Sequence, residues 1–221
     1  MRKLKFAGIV LLISIMILSV LGSVVNIEVE AEAVGKSTSS WLMPHEPIYI
    51  GGNDDFTEEN GVVGGSGTES DPYVIEGWNI DASATDGIRI KNTDVYFIIR
   101  NCIIRDSYDP GSETYKTGIS FYLVQNGKIE NVTSYNHYNG ILLSSSSGNN
   151  ITNCDFYDRA YGIYTYSSSN NNITSCCVYN NVYGVKLWSS SNNNRITNCY
   201  AYNNSYYGIF LHSSSNNNVT N

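Results

Sequence analysis

One phrase recurs almost four times between residues 140 and 221. It reads GILLSSSSGNNITNCDF from Gly140, GIYTYSSSNNNITSCCV from Gly162, GVKLWSSSNNNRITNCYA from Gly184 and GIFLHSSSNNNVTN from Gly208. The opening glycines are 22, 22 and 24 residues apart. A period in the low twenties, with short apolar runs and no helical spacing, predicts a solenoid. No single copy can bury its own apolar face, so the copies must stack and share one core.

Two units alternate within this period. The first, Ile-x-Asn-Cys-x-apolar, starts at Ile75, Ile99, Ile129, Ile151, Ile173 and Ile196, and again at Val219. The second, Gly-apolar-x-apolar, opens at Gly87, Gly118, Gly140, Gly162, Gly184 and Gly208. Each coil therefore holds at least two short strands with bends between them. Strict alternation puts Ile141 and Leu143, Ile163 and Thr165, and Val185 and Leu187 on one side of their strands. Runs this short, rich in Asn, Ser, Thr and Tyr, disfavour helix.

The third position of the first unit is Asn101, Asn131, Asn153, Ser175 and Asn198. Asn tolerates left-handed backbone, so these residues are expected to bend the chain and to form a hydrogen-bonded side-chain ladder between coils. The fourth position is Trp78, Cys102, Val132, Cys154, Cys176 and Cys199. Trp and Val replace Cys there, so the position wants an apolar filler, and a buried thiol behaves as a small hydrophobe. Parallel stacked side chains fit disulfide geometry poorly, and the expectation is free buried thiols. Cys177 falls out of register and is expected to face the other way.

The chain begins with a basic stretch (Arg2, Lys3, Lys5), an apolar run and then small residues near Ala33. Residues 1–33 read as a secretory signal peptide, with an uncleaved anchor as the alternative, and either one places the rest outside the cytoplasm. Residues 34–44 read as linker, 45–72 as an acidic cap and 73–221 as repeats. Ten acidic residues and no Lys or Arg lie between Glu46 and Asp86. No basic patch interleaved with aromatics is present, which argues against nucleic acid as a partner. The last copy stops at Val219-Thr220-Asn221, so the repeats read as truncated, with association through an uncapped end as one consequence.

The Ile-x-Asn-Cys and Gly-Ile-x-Leu phrases resemble right-handed parallel β-helix repeats of the pectin-lyase-like superfamily. The leading HEPIYIGGNDDF and GGSGTESDPYVIEGW resemble the entry cap of archaeal exported NosD-like proteins. The resemblance implies an all-β, right-handed parallel β-helix of about six coils. The fold hosts lyases, hydrolases, adhesins and accessory proteins, so function must be argued from residues. A NosD-like accessory role would imply copper, and no ligand cluster here supports it; the reading is no metal and no cofactor.

A hydrolase of this type would need paired carboxylates, and a lyase resembling the pectate type would need acidic calcium ligands and a basic proton acceptor; the candidates are Glu130, Asp155 and Asp158. They stand at different repeat positions and make no convincing pair. The outward positions of the Gly-Ile-x-Leu strand form a stripe that includes Tyr122, Tyr164, Tyr166, Lys186, Trp188, Phe210 and His212. Exposed rings with polar tips suit sugar binding, whereas cross-coil stacking that only steadies the sheet is the competing reading. Glycosylation sequons occur at Asn131, Asn150, Asn172, Asn203 and Asn218. Asp54, Asp55, Glu58 and Glu59 offer a calcium site without EF-hand spacing, and a solvated capping loop is the better account. The leading expectation is a non-catalytic surface module whose partners are polysaccharides or surface-layer components.

Overall fold

The computed structural model describes residues 42–107, 115–158 and 160–221. The leader at 1–33 and the linker as far as residue 41 lie outside the described residues. Each coil contains three strands. In one coil these are Asn150–Thr152, Asp155–Tyr157 and Tyr161–Tyr166. The unit ITNCDF thus spans two strands, parted at Asn153. Successive coils pair in parallel and build three sheets, here called the Ile sheet, the short sheet and the long sheet after the order of strands in that coil.

Register is kept residue for residue. Ile99, Ile129, Ile151, Ile173 and Ile196 form one column of the Ile sheet. Ile88, Ile119, Ile141, Ile163 and Val185 form another in the long sheet. All are at most 1% exposed, so the core is a set of aliphatic columns running the length of the stack. Parallel neighbours sit about 4.8 Å apart, which makes every column continuous.

Left-handed residues turn the chain at each corner. In the coil above these are Asn153, Asp158, Ser167 and Asn170, with φ of 54, 62, 47 and 58°. Single Asn, Asp and Ser residues at such corners explain the polar composition of the repeat. The bend residues Asn101, Asn131, Asn153, Ser175 and Asn198 have φ between 51 and 55°. Their side chains, however, point to solvent or lie half-buried, and among the described residues none hydrogen-bonds to the next.

The amide ladder lies elsewhere. It runs through Asn149, Asn171, Asn194 and Asn217, in the turn between the long and Ile sheets. Asn149 and Asn171 are buried, and each donates from its backbone N–H and its Nδ2 to Oδ1 of the Asn in the following coil, at 2.9 and 3.1 Å. The same Nδ2 groups also donate to carbonyl oxygens, Asn149 to Val124 and Asn171 to Ser146. A parallel rank of serines does similar work: Ser146 N–H donates to Ser168 Oγ and Ser168 N–H to Ser191 Oγ. The repeated SSSNNN is therefore a turn whose second Ser and second Asn face inward, with an added Ser190 in the next copy.

Close approach fixes the glycine that opens the first three of these phrases, Gly140, Gly162 and Gly184. A Cβ on Gly140 would lie 2.6 Å from the Gly162 carbonyl oxygen, and one on Gly162 would lie 2.7 Å from that of Gly184. Neither distance is tolerable, so the position is closed to any side chain.

Cysteines form an inward column, and all five thiols are free. Cys102, Cys154 and Cys176 are buried, and each Sγ donates to the carbonyl two residues earlier, at 3.2 to 3.4 Å. Burial pushes the Cys102 thiol up to about 11. Thiol–thiol hydrogen bonding with Cys154 raises Cys176 as well, so Cys102 and Cys176 stay protonated at neutral pH. Cys177 faces outward beside Asp155 and is half-buried.

The stack starts earlier than the sequence boundary at residue 73. Met43–His45 pairs with the strand Trp78–Asp81 of the short sheet, and Ile48–Ile50 pairs with Ile88–Thr93 of the long sheet. Residues 43 and 44 therefore belong to the first coil and not to a linker. Val62–Gly64 closes the Ile sheet as an antiparallel edge. Phe56 lies 4.9 Å from Tyr73 and 5.3 Å from Phe97, plugging the core at this end.

Another corner, between the short and long sheets, holds buried Ser107, His137, Asn181 and half-buried Asn204 at equivalent places. The His137 ring contacts Ser107 Oγ through Nδ1 and the Ile104 carbonyl through Nε2, and burial pushes its pKa down to about 4. Two outcomes are expected. Asn171→Ala strands the Asn149 N–H and the Ser146 carbonyl and should cost about 3 kcal/mol in denaturant unfolding, whereas Asn131→Gly at an exposed bend should change stability by less than about 1 kcal/mol. The unfolded chain protonates His137 near pH 6.5 and the folded chain only near 4. Its contribution is thus intact above pH 6.5 and lost on acidification at about 1.4 kcal/mol per pH unit through that window. His137→Asn, matching the later coils, should flatten this part of the melting-temperature profile.

Candidate functional site

The outer face of the long sheet carries ordered columns of side chains. One column runs Lys91, Tyr122, Ser144, Tyr166, Trp188 and His212. The column beside it contains Arg89, Ser120, Leu142, Tyr164, Lys186 and Phe210. All seven aromatic and basic residues singled out from the sequence lie on this one face. A third column, Tyr161, Tyr183 and Tyr207, flanks them. It escaped the sequence reading because each of its tyrosines precedes the glycine where strict alternation breaks.

Most of these rings are occupied by one another. Trp188 stacks on His212 with centroids 4.0 Å apart and planes 13° from parallel. Tyr161 stacks on Tyr164 and on Tyr183, at 5.1 and 5.3 Å. Into this cluster Lys186 sends its ammonium, 4.7 Å from the Tyr161 centroid, 5.1 Å from Tyr164, 5.0 Å from Tyr183 and 4.5 Å from Trp188. Four rings around one cation make a self-filled cage that ties two neighbouring coils together. Stacked faces inside the cluster are not available to a ligand.

Two members differ. Tyr122 is 46% exposed and Tyr166 is 42% exposed. Neither makes a ring contact among the described residues. Between them in register stands Ser144, whose small side chain leaves the column open.

The short sheet carries a second aromatic array that the repeat phrase did not reveal. Tyr135, Tyr157, Tyr179 and Tyr202 stack at 5.2, 4.7 and 4.9 Å, with planes within 12° of parallel. Burial in this stack raises the Tyr157 phenol to about 12. Its ring faces are covered by neighbours, which makes it a cross-coil support like the stacked pairs of other sheets.

The candidate carboxylates are dispersed. Glu130 lies on the Ile sheet in an ion ladder, with Lys128 at 2.5 Å, Arg100 at 4.0 Å and Glu76 on the far side of Arg100 at 2.7 Å. Asp155 lies on the short sheet beside Cys177. Asp158 is a left-handed corner residue that accepts from Asn180 Nδ2 at 3.2 Å. Glu130 on the Ile sheet is thus separated from Asp155 on the short sheet and Asp158 at the corner that follows it, and Glu130 and Asp158 are engaged by Lys128 and Asn180.

Among the described residues no group of three or more His, Cys, Asp or Glu side chains converges on one point. Asp54, Asp55, Glu58 and Glu59 lie on two consecutive 3-10 turns, where Asp55 Oδ2 accepts from the Gly51 N–H at 2.8 Å. Asn131 and Asn203 are exposed corner residues. Asn150, Asn172 and Asn218 begin Ile-sheet strands on the outward side, where Asn172 Nδ2 donates to Asn150 Oδ1 at 3.3 Å. A shallow groove crosses this face, lined by Asn172, Thr174, Arg195 and Thr197.

The family profile described as a right handed beta helix region matches residues 86–221. The chain belongs to this right-handed β-helix family. The match covers the three-sheet coils and starts just before the strand Ile88–Thr93. No curated protein and no solved structure matches the chain. Within the right-handed β-helix family, then, the reading of function rests on the surface columns.

Proposed function

We propose that this right-handed β-helix is an exported, non-catalytic surface module that binds carbohydrate through the outer face of its long sheet. The observation that carries the reading is the pair of exposed tyrosines, Tyr122 and Tyr166, with ring faces that no other ring covers. Such rings offer an apolar face for sugar C–H groups and a phenol for sugar hydroxyls. The remaining aromatics stiffen the same face by stacking on one another. The separation of Glu130 from Asp155 and Asp158, and its engagement by Lys128 and Arg100, supports binding without bond cleavage. Export rests on the leader composition at residues 1–33, and a cell-surface polysaccharide or surface-layer glycan is the partner it implies.

Sedimentation of the purified chain with insoluble polysaccharides tests the reading. The native chain should be retained on at least one, and Tyr122→Ala with Tyr166→Ala should weaken retention by roughly tenfold while the melting temperature holds. Absence of retention on every polysaccharide, or retention indifferent to both substitutions, would contradict it.

A further inference from the structure

Ser144 interrupts an aromatic column at one position. Tyr122 pairs with Ser144 on one side, and Tyr166 pairs with it on the other. The two tyrosines are therefore two coil steps apart, about 9.5 Å along the stack. Elsewhere in the same column Trp188 and His212 occupy adjacent steps and stack at 4.0 Å, with planes 13° from parallel. Replacing the middle ring by a serine leaves a gap the height of one missing ring and its two contact distances.

We infer that this gap is a slot for a single pyranose ring, sandwiched between Tyr122 and Tyr166 above Ser144. A planar ring held at van der Waals distance on both faces needs about 7–8 Å. A pyranose chair, thickened by its axial hydrogens, takes up the remaining roughly 1–2 Å that a planar ring would leave empty. The floor suits a sugar too. Ser144 is half-buried, and its hydroxyl makes no hydrogen bond among the described residues, so it can donate to or accept from a ring hydroxyl. Leu142 lies next to it on the same strand, half-buried, and supplies an apolar wall. No carboxylate occupies the outward positions of the coils around the slot, so neutral and acidic sugars are both admitted.

The slot deepens the carbohydrate reading and rests on it, and the two can fail separately. Cellopentaose, chitopentaose, maltopentaose and tetragalacturonate are titrated against the native chain and against Ser144→Tyr. This substitution sets a ring at the serine position between Tyr122 and Tyr166, on a strand that tolerates tyrosine at the equivalent places, so it fills the slot while keeping the fold. Native binding to at least one oligosaccharide, lost at least tenfold in S144Y with an unchanged or raised melting temperature, supports the slot. Native binding that persists in S144Y overturns the slot and leaves the broader carbohydrate reading standing. If none of the four binds to the native chain, the slot is overturned, and retention on insoluble polysaccharide then decides the broader reading by itself. Should S144Y fold poorly, Ser144→Ile, a strand-favouring side chain that blocks the same floor, is read by the same criteria.

Discussion

Everything in this structure depends on neighbouring coils being held at one spacing and in one register. Backbone pairing in three sheets sets the spacing, but backbone pairing alone tolerates slippage where side chains are small and polar. The inward amides remove that freedom. Asn171 uses its side-chain oxygen for two donors of the preceding coil and its Nδ2 for the Ser146 carbonyl and Asn194. A slip of one residue would bury these groups without partners, at a penalty of several kcal/mol per amide. Because the amides fix the turn before the Ile sheet, the isoleucine columns follow.

Much of this was legible in the repeat. Alternation in Gly-Ile-x-Leu identified the inward residues, substitution of Cys by Val and Trp marked a filler position, and Asn at a fixed place marked a corner. The third sheet was not legible, because the bend at Asn153 was clear but only three residues, Asp155–Tyr157, follow it before the next corner at Asp158. The ladder was assigned to Asn153 and its equivalents, whereas Asn149, Asn171 and Asn194 carry it. Three consecutive Asn residues look alike in sequence; only the corner angles at Asn170 and Asn193 decide which amide turns inward. The tyrosine stack from Tyr135 to Tyr202 was missed for a similar reason, since it follows the unnoticed strand.

The surface columns show why aromatic content by itself is a poor guide to binding. Tyr157, Tyr179, Trp188 and Tyr183 are spent on each other and on Lys186, which makes them part of the scaffold. What differs is a deletion: a serine where the column would carry a ring. In a solenoid whose coil spacing is fixed, omitting one side chain creates a cavity of defined height without disturbing the core beneath. Ser144 and His137 are two such exceptions to the repeat, one on the surface and one in a buried corner.

Amide hydrogen exchange, resolved by residue, tests the central claim that the inward ladder locks the coils. The account predicts that the N–H groups of Asn149, Asn171 and Asn194 exchange only through global unfolding, with the same free energy as core amides such as Ile151 and Ile173. Exchange at these three positions as fast as at the exposed loop residue Ala84, whose N–H meets no acceptor among the described residues, would contradict it.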